Sequence, residues 1–251
     1  MIQVNQHQSK TLMEPVKNIS GLVSVRGHHF YANLINSNSV VVDLGSHLGQ
    51  FSHQVSNLFK CQCYAVEALP SLHQKIVQNP LVKKFNYAIS SADKPVEFCV
   101  TDNPEANHIS RFSVGTVSEK ITVEGVTIES FMDRNNIECI DLLKVDIEGA
   151  EIDLFNSMSD KTLKSIKQIT VEFHDFKFQI SREVEAIKAK LKSLGFACIV
   201  FSMTTNGDVL FINLNKSCIP KFRYIYIRYF AKYVRAFPRL MKRLFSKIIL
   251  N

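Results

Sequence analysis

Residues 40–49 decide the fold, with the sequence Val40-Val41-Val42-Asp43-Leu44-Gly45-Ser46-His47-Leu48-Gly49. The run of β-branched residues predicts a strand that is buried on both faces. It ends in an acid and two glycines, where the chain turns tightly and can approach a ligand closely. A second apolar run, over residues 62–67, ends in Glu67. Since ligands of a doubly wound sheet lie outside the carboxyl ends of its strands, both acids are expected at one crevice.

The two acids and the glycine spacing also indicate the kind of ligand. An acid at the end of the second strand usually accepts hydrogen bonds from ribose hydroxyls, so Glu67 predicts a nucleoside. The spacing departs from the Gly-x-Gly-x-x-Gly pattern that rests a pyrophosphate on a helix N-terminus. A carboxylate at Asp43 would repel a pyrophosphate and would suit a cationic ligand, such as S-adenosylmethionine with its amino and sulfonium groups. The alternative is that Asp43 caps a turn and that the glycines serve packing.

Alternating strand and helix patterns predict an α/β fold with a mainly parallel sheet of seven strands. The last strand, residues 209–214, is expected to be antiparallel because the tight Asn206-Gly207 turn precedes it. The first strand begins at residue 40, and the five strands between the first and the last cover residues 62–67, 82–89, 140–147, 166–173 and 196–201. Two exposed antiparallel strands are predicted at residues 95–100 and 119–123, and helices at 50–59, 71–78, 127–135, 150–158 and 181–194. We divide the chain into an N-terminal extension (1–37), a domain (38–214) and a C-terminal tail (215–251).

Composition and cysteine spacing narrow the class of protein. The chain has 251 residues, of which 46% are hydrophobic, so a sizeable core can form. No segment approaches the roughly 18 unbroken apolar residues that cross a bilayer, and residues 1–17 lack the apolar run of a secretory signal. The six cysteines show no Cys-x-x-Cys spacing. Reduced thiols in a cytoplasmic protein are therefore expected.

The net charge of +7 is concentrated in the tail. Residues 209–251 contain ten basic residues and no acid, whereas the other 20 basic residues are matched by 23 acids. On a helical wheel, the basic residues from Arg228 to Arg243 lie opposite aromatic and aliphatic ones, which predicts a basic amphipathic helix bent at Pro238. Residues 219–251 are expected to bind an anionic membrane surface. The alternatives are packing of the apolar side on the domain and, least favoured, nucleic-acid binding.

A second group of charged residues lies at the ends of the fourth and fifth strands. Strand alternation puts Lys144 and Asp146 on one face, and likewise Glu172 and His174. Asp146, Glu172 and His174 are expected to converge as a general base that deprotonates a hydroxyl. Two alternatives stay open: ligation of a divalent metal, which is not favoured, and an ion-paired rim with Lys144 that orders the loops. The nearby Glu151 is explained as a first-turn helix acid.

Four motifs together resemble the FkbM-type methyltransferase family: residues 41–49, 66–68, 86–90 and 141–151. The last of these, Asp-Leu-Leu-Lys-Val-Asp-Ile-Glu-Gly-Ala-Glu, is the most specific. The resemblance covers about residues 38–214 and leaves out the basic tail. It implies a Rossmann-like methyltransferase fold, S-adenosylmethionine as cofactor, and methyl transfer to oxygen, often of sugars or other small hydroxylated molecules.

The resemblance also implies roles for single residues. Asp43, Gly45 and Gly49 would surround the methionine part of the cofactor, and Glu67 would hold the ribose. The turn from Asn86 to Ile89, which includes Ala88, would lie against adenine, and Asp146 would border the cofactor. Two residues near the cofactor depart from the family pattern: His47 stands where asparagine is usual, and Ala68 where proline is usual.

The sequence thus predicts an S-adenosylmethionine-dependent O-methyltransferase that works at the cytoplasmic membrane face on a small-molecule or glycan hydroxyl. We expect His174 or Asp146 to take the hydroxyl proton. A nucleic-acid methyltransferase is a weaker hypothesis, because the Asn-Pro-Pro-Tyr type motif and a Pro-Cys nucleophile are absent. A non-catalytic binding module with the same fold is the other alternative, against which the intact Asp43, Glu67 and Asp146 argue.

Overall fold

The computed structural model describes residues 21–101, 108–109, 117–175, 180–202, 205–217, 219–220, 224–225, 227 and 229. Within these ranges the strands are, in chain order, β1 (Leu22–Val25), β2 (His28–Tyr31), β3 (Val40–Leu44), β4 (Gln62–Val66), β5 (Val82–Phe85), β6 (Ala88–Ile89), β7 (Val96–Thr101), β8 (His108–Ile109), β9 (Val117–Val123), β10 (Gly125–Val126), β11 (Leu142–Val145), β12 (Gln168–Val171), β13 (Phe196–Val200) and β14 (Val209–Asn213). The helices are α1 (Gln50–Phe59), α2 (Pro70–His73), α3 (Ile128–Arg134), α4 (Glu151–Ser157), α5 (Asp160–Ser165) and α6 (Ser181–Ser193), with a 3-10 turn at Ala32–Leu34.

The main sheet has seven strands in the order β13-β14-β12-β11-β3-β4-β5. β14 runs antiparallel to both neighbours, and the other pairs in this sheet are parallel. The chain leaves β3 toward β4 on one side and returns to β11 on the other. A crevice for a ligand forms at such a reversal, outside the carboxyl ends of the strands. The predicted α/β fold, with its antiparallel last strand, is therefore confirmed.

The two faces of the main sheet are covered differently. The helix face, which carries Leu143 and Val145, packs against apolar side chains of α3, α4 and α6, including Phe131 and Phe155. The hairpin face, which carries Leu142 and Lys144, packs against α1 and against the hairpin formed by β1 and β2. Each cluster is built from alternate residues of the same strands, as the two-residue period of a strand requires. One face of the sheet is thus covered by helices, and the other by α1 together with the hairpin.

Polar side chains of β12 hold this hairpin in place. The fully buried Gln168 accepts a hydrogen bond from the Tyr31 backbone N–H (2.8 Å) and donates one to its carbonyl (3.2 Å). On the outer side, the His29 ring contacts Asp208 and stacks on Phe201, with ring centroids 4.2 Å apart. The hairpin lies within residues 1–37, for which the sequence analysis predicts no element.

Two predicted elements are wrong in their extent. The third strand ends at Phe85, because the Asn86 side chain donates hydrogen bonds to the carbonyls of Glu67 and Ala68 (both 2.8 Å) and turns the chain away. Ala88–Ile89 pairs instead with β10 in a separate small sheet. The helix predicted over residues 71–78 is the single turn α2, and its later carbonyls accept hydrogen bonds from Lys84 Nζ. The predicted antiparallel strands are confirmed as β7 and β9.

Most of the tail, where the basic amphipathic helix is predicted, lies outside the described residues. Of the few described positions, Ile227 is fully buried in the apolar cluster of the hairpin face, while Ile225 and Tyr229 are exposed. The start of the tail therefore packs on the domain. No helix in the described ranges is both long enough and apolar enough to cross a membrane.

Candidate active site

A cavity of about 520 Å³ lies at the carboxyl ends of β3, β4, β11 and β12. The loops that follow β3, β4, β5, β11 and β12 surround it, together with the hairpin and Phe98 of β7. Of the residues that the sequence analysis selects, those that line the cavity are Gly45, His47, Glu67, Ala68, Ala88, Lys144, Asp146, Glu172 and His174. The sequence thus places most of its candidates correctly at one crevice.

The glycine loop after β3 approaches the end of β11 closely. Gly45 has φ +73°, and a Cβ atom there would lie 1.8 Å from the carbonyl oxygen of Asp146, so only glycine fits. The N–H groups of Gly45 and Ser46 both donate to the Val66 carbonyl at 3.0 Å, which ties the loop to β4. His47 has φ 51°, a left-handed conformation that asparagine and histidine adopt more readily than most residues. Histidine is therefore compatible with the backbone at position 47, where the resemblance noted above leads us to expect asparagine.

Glu67 lies at the end of β4 with its carboxylate fixed by the backbone. It accepts hydrogen bonds from the N–H groups of His47 (2.7 Å) and Leu69 (2.9 Å). Burial raises the pKa of Glu67, while these hydrogen bonds and the charge of Lys144 act in the opposite direction. Asn86 holds the adjoining backbone but does not line the cavity, whereas Ala88 does.

Asp43 lies behind the glycine loop and does not line the cavity. Its carboxylate is fully buried, accepts a hydrogen bond from Ser52 Oγ (2.7 Å) and lies 3.2 Å from Lys144 Nζ. The structure therefore does not bring Asp43 to the cavity wall, and any effect of Asp43 on a bound ligand would pass through Lys144 and the glycine loop. Gly49, which precedes α1 as its N-cap, does not line the cavity either.

Lys144 and Asp146 form an ion pair beneath the cavity. Lys144 Nζ lies 3.4 Å from Asp146 Oδ2 and donates to the Gly45 carbonyl at 2.7 Å. Burial opposes its charge, but Asp43 and Asp146 outweigh this and raise the pKa of Lys144. Burial likewise acts to raise the pKa of Asp146, but Lys144, His28 and His174 together hold it well below its usual range. Both groups are therefore charged at neutral pH.

His174 is held between carboxylates. Its Nδ1 contacts the fully buried Glu151 at 2.9 Å, and its Nε2 lies 3.3 Å from Glu148 and 3.8 Å from Asp146 Oδ1. Burial acts to lower the pKa of His174, but the hydrogen bond to Glu151 and the three negative charges raise it to about 9. The ring is thus an imidazolium at neutral pH. Glu151, besides being a first-turn acid, is the partner of this histidine.

Glu172 lies on the other side of Asp146. Its side chain is half-buried, and burial together with the charge of Asp146 raises the pKa of Glu172. Among the described residues, potential metal-ligand atoms group as His28, Asp146 and Glu172, and separately as Asp146, Glu148 and His174. Asp146, Glu172 and His174 therefore meet at one cavity, as predicted, and Asp146 belongs to both groups.

The hairpin contributes two residues that the sequence analysis missed. Arg26, at the turn, lines the mouth of the cavity, and His28 lies inside with 3% exposure. His28 Nε2 is 3.6 Å from Asp146 Oδ2. The available signal was an Arg26-Gly27 pair between two short apolar runs, which is typical of a two-residue hairpin turn.

The chain matches the FkbM domain of methyltransferases over residues 43–198, which is more than half of its length. It belongs to this family. The match begins at Asp43 and ends within β13, so it includes the glycine loop and both strand ends that carry the charged residues of the cavity. A comparison with curated proteins found no match.

Solved structures that resemble this FkbM-family chain are distant in sequence. The FkbM methyltransferase of Methylobacillus flagellatus KT is 10% identical, with a TM-score of 0.46, over 73% of this chain and 46% of that one. The chain therefore spans less than half the length of that relative. Precorrin-6y C5,15-methyltransferase of Geobacter metallireducens GS-15 is 12% identical, with a TM-score of 0.36, over 71% and 80% of the two chains. TrmK of M. capricolum, solved with S-adenosylhomocysteine, is 9% identical, with a TM-score of 0.38, over 75% and 69%.

Proposed function

We propose that the protein transfers a methyl group from S-adenosylmethionine to a hydroxyl oxygen of a small polar acceptor such as a sugar or glycan. Membership of the FkbM family supports methyl transfer. The observation that carries the choice of cofactor is the placement of Glu67, whose buried carboxylate is fixed by two backbone N–H groups at the edge of the cavity. Such a fixed acceptor at the end of the second strand suits the two hydroxyls of a ribose.

The cavity fits this cofactor in three further respects. Its volume of about 520 Å³ falls within the range of small-molecule sites. Gly45 lines the cavity and carries no side chain, so a ligand can approach the backbone of the glycine loop. Asp146 and Glu148 line the cavity as carboxylates and favour a cationic ligand.

The bound cofactor would supply an activated methyl group, so the protein mainly has to orient the acceptor and accept a proton. Orientation alone supplies much of the rate of such a transfer. We propose that Asp146, which is a carboxylate at neutral pH, accepts the hydroxyl proton. His174 already carries a proton, and its Nε2, 3.8 Å from Asp146 Oδ1, holds this carboxylate in position. Near-normal turnover by both His174→Gln and Asp146→Asn would exclude this assignment.

Calorimetric titration with S-adenosylmethionine tests the proposed cofactor. Glu67→Gln keeps the shape of the side chain and removes its charge, so we expect affinity to fall about 10- to 100-fold, as for loss of charge-assisted hydrogen bonds. Glu124→Gln is the matched control, since Glu124 is an exposed residue paired with Arg134. Equal affinity of the wild type and Glu67→Gln, or no binding by the folded wild type, would overturn the proposal.

The acceptor atom is tested separately. Purified protein with S-adenosylmethionine is offered polyhydroxylated sugars, matched amino compounds and short RNA, and the methylated atom is located by mass spectrometry. Methylation of hydroxyl groups alone is expected. Methylation of RNA would favour the nucleic-acid alternative, and cofactor binding with no transfer to any acceptor would favour a binding module.

We further propose that the tail brings the enzyme to an anionic membrane surface. Ten basic residues and no acid between 209 and 251 support this proposal, at about 1 kcal/mol for each basic residue near the surface. Deleting residues 219–251 would also remove the buried Ile227, so charge substitution is the cleaner test. We expect Lys232→Gln, Arg235→Gln and Arg239→Gln together to weaken co-sedimentation with vesicles of anionic phospholipid. Co-sedimentation that is unchanged in this variant would exclude the tail as the membrane contact.

A further inference from the structure

We propose that His28, Asp146 and Glu172 bind a divalent transition-metal ion, such as Mn²⁺, at the wall of the cavity. One potential ligand atom from each of the three residues lies within 4.8 Å of the other two. Ligand atoms that share one ion at about 2.1 Å lie roughly 3 to 4 Å apart, a difference that ordinary side-chain rotation closes. The three residues come from β2, from the end of β11 and from the end of β12, so the fold itself brings them together.

His28 is held in the orientation that a metal ligand needs. Its Nδ1 faces Thr170 Oγ1 at 3.5 Å, and its ring meets Phe51 edge-on, with centroids 5.8 Å apart. A ligating histidine usually presents one nitrogen to the metal while the other is held by a neighbouring group. The other ring nitrogen, Nε2, faces Asp146 Oδ2 at 3.6 Å, so it is the nitrogen available to the ion.

The positively charged side chains near Glu172 form ion pairs with other carboxylates. Lys144 is shared by Asp43 and Asp146, and His174 is engaged by Glu148 and Glu151. In the ranges that the structure describes, no hydrogen bond or ion pair reaches the Glu172 carboxylate, which lies beside the negative charge of Asp146. A cation between two such neighbouring carboxylates would be attracted by both charges.

The same donor set indicates the class of metal. Carboxylate oxygens suit Mg²⁺, Ca²⁺ and Mn²⁺, whereas imidazole suits transition metals, and Mn²⁺ satisfies both. Lys144 stays compatible with an ion, because it is anchored by Asp43 and by the carbonyls of Gly45 (2.7 Å) and Leu44 (3.3 Å) in addition to Asp146. The three protein ligands leave further coordination positions open toward the cavity.

An ion in this position would contact acceptor oxygens and lower the pKa of a bound hydroxyl, which would ease the transfer of its proton to Asp146. This role rests on the proposed function, whereas binding of the ion does not. It favours acceptors with two neighbouring oxygens, such as vicinal diols or hydroxy acids, since these occupy two coordination positions at once.

Titration of chelator-treated full-length protein with MnCl₂, followed by electron paramagnetic resonance of the free ion, tests the site without cofactor or acceptor. We expect one tight equivalent per chain, and at least a tenfold loss of affinity in His28→Ala and in Glu172→Gln. His29→Ala is the matched control, since His29 contacts Asp208 on the other side of the same strand and should leave Mn²⁺ affinity unchanged. Circular dichroism and S-adenosylmethionine binding show whether each variant is folded.

Three outcomes would overturn the proposal. The wild type could fail to bind Mn²⁺, or His28→Ala and Glu172→Gln could both bind it as tightly as the wild type does. The third is a loss of affinity in Glu148→Gln alone, which would place the ion at Asp146, Glu148 and His174 instead. Failure of the proposed function is recognised separately, because S-adenosylmethionine would then fail to bind whether or not Mn²⁺ binds.

Discussion

The two faces of the main sheet differ in the polarity of the side chains that they bury. On the helix face, β11 and β12 present only apolar residues such as Leu143 and Val171, which pack against helices. On the hairpin face, the same strands present buried Lys144, Gln168 and Thr170 among apolar neighbours. A buried polar group needs a specific partner, whereas a buried apolar group needs only a neighbour of suitable size. The helix face therefore provides stability, while the hairpin face also fixes positions at the cavity.

Among substitutions that distinguish the two faces, we expect Lys144→Met to have the largest effect on the free energy of unfolding. Loss of Lys144 leaves Asp43 and Asp146 buried without their shared cation, so we expect about 3–5 kcal/mol less stability toward urea at pH 8. The loss should shrink only as pH falls below about 4, the pKa of an aspartate in an unfolded chain, because the stability contributed by the lowered pKa of Asp146 disappears there. Leu143→Ala, one residue away on the helix face, is the control: we expect about 2–5 kcal/mol there, independent of pH. Equal pH dependence of the two variants would remove the distinction between the faces.

His174 gives a second test, through pH alone. Its pKa in the folded protein is about 9, above the ordinary value of 6.5. The folded state therefore binds this proton more tightly, and the added stability is complete below about pH 6.5 and lost as pH rises through 9. We expect the stability difference between the wild type and His174→Gln to decrease over this range by up to about 3 kcal/mol. Urea unfolding at pH 6.5, 7.5 and 9 measures it, and a constant difference would contradict the ion-paired cluster.

The smallest effect concerns the attachment of the hairpin. Gln168→Leu removes both hydrogen bonds to the Tyr31 backbone, at about 1 kcal/mol each, and should speed hydrogen exchange across β1 and β2 more than elsewhere. Thr170→Val is the control, because the contact of Thr170 with His28 is long at 3.5 Å and its loss should have a smaller effect. Uniform exchange across the whole sheet would indicate that Gln168 has no special part in holding the hairpin.

The comparison also shows what could be predicted from the sequence. The strands with helix-face residues, the glycine loop and Glu67 are encoded locally, by apolar runs and by the residues at their ends, and their positions are confirmed. The position of His28 depends on its contact with Thr170, which is 142 residues away in the sequence. The position of Tyr31 depends on its hydrogen bonds with Gln168, which is 137 residues away. No local pattern carries such information. The same holds for Asp43. Its position at the end of a strand can be predicted from the sequence, but its contacts with Lys144 and Ser52 cannot.

The docking of the N-terminal hairpin has a consequence for how the chain folds. Its partners belong to β12 and to the segment before β14, and His29 meets Asp208 across 179 residues. Contacts of such long sequence separation slow folding, because a large loop must close before they form. During synthesis the hairpin must therefore wait until nearly the whole domain has left the ribosome. The wall of the cavity that His28 supplies is then among the last parts to form, so a chain interrupted before Asp208 would lack it.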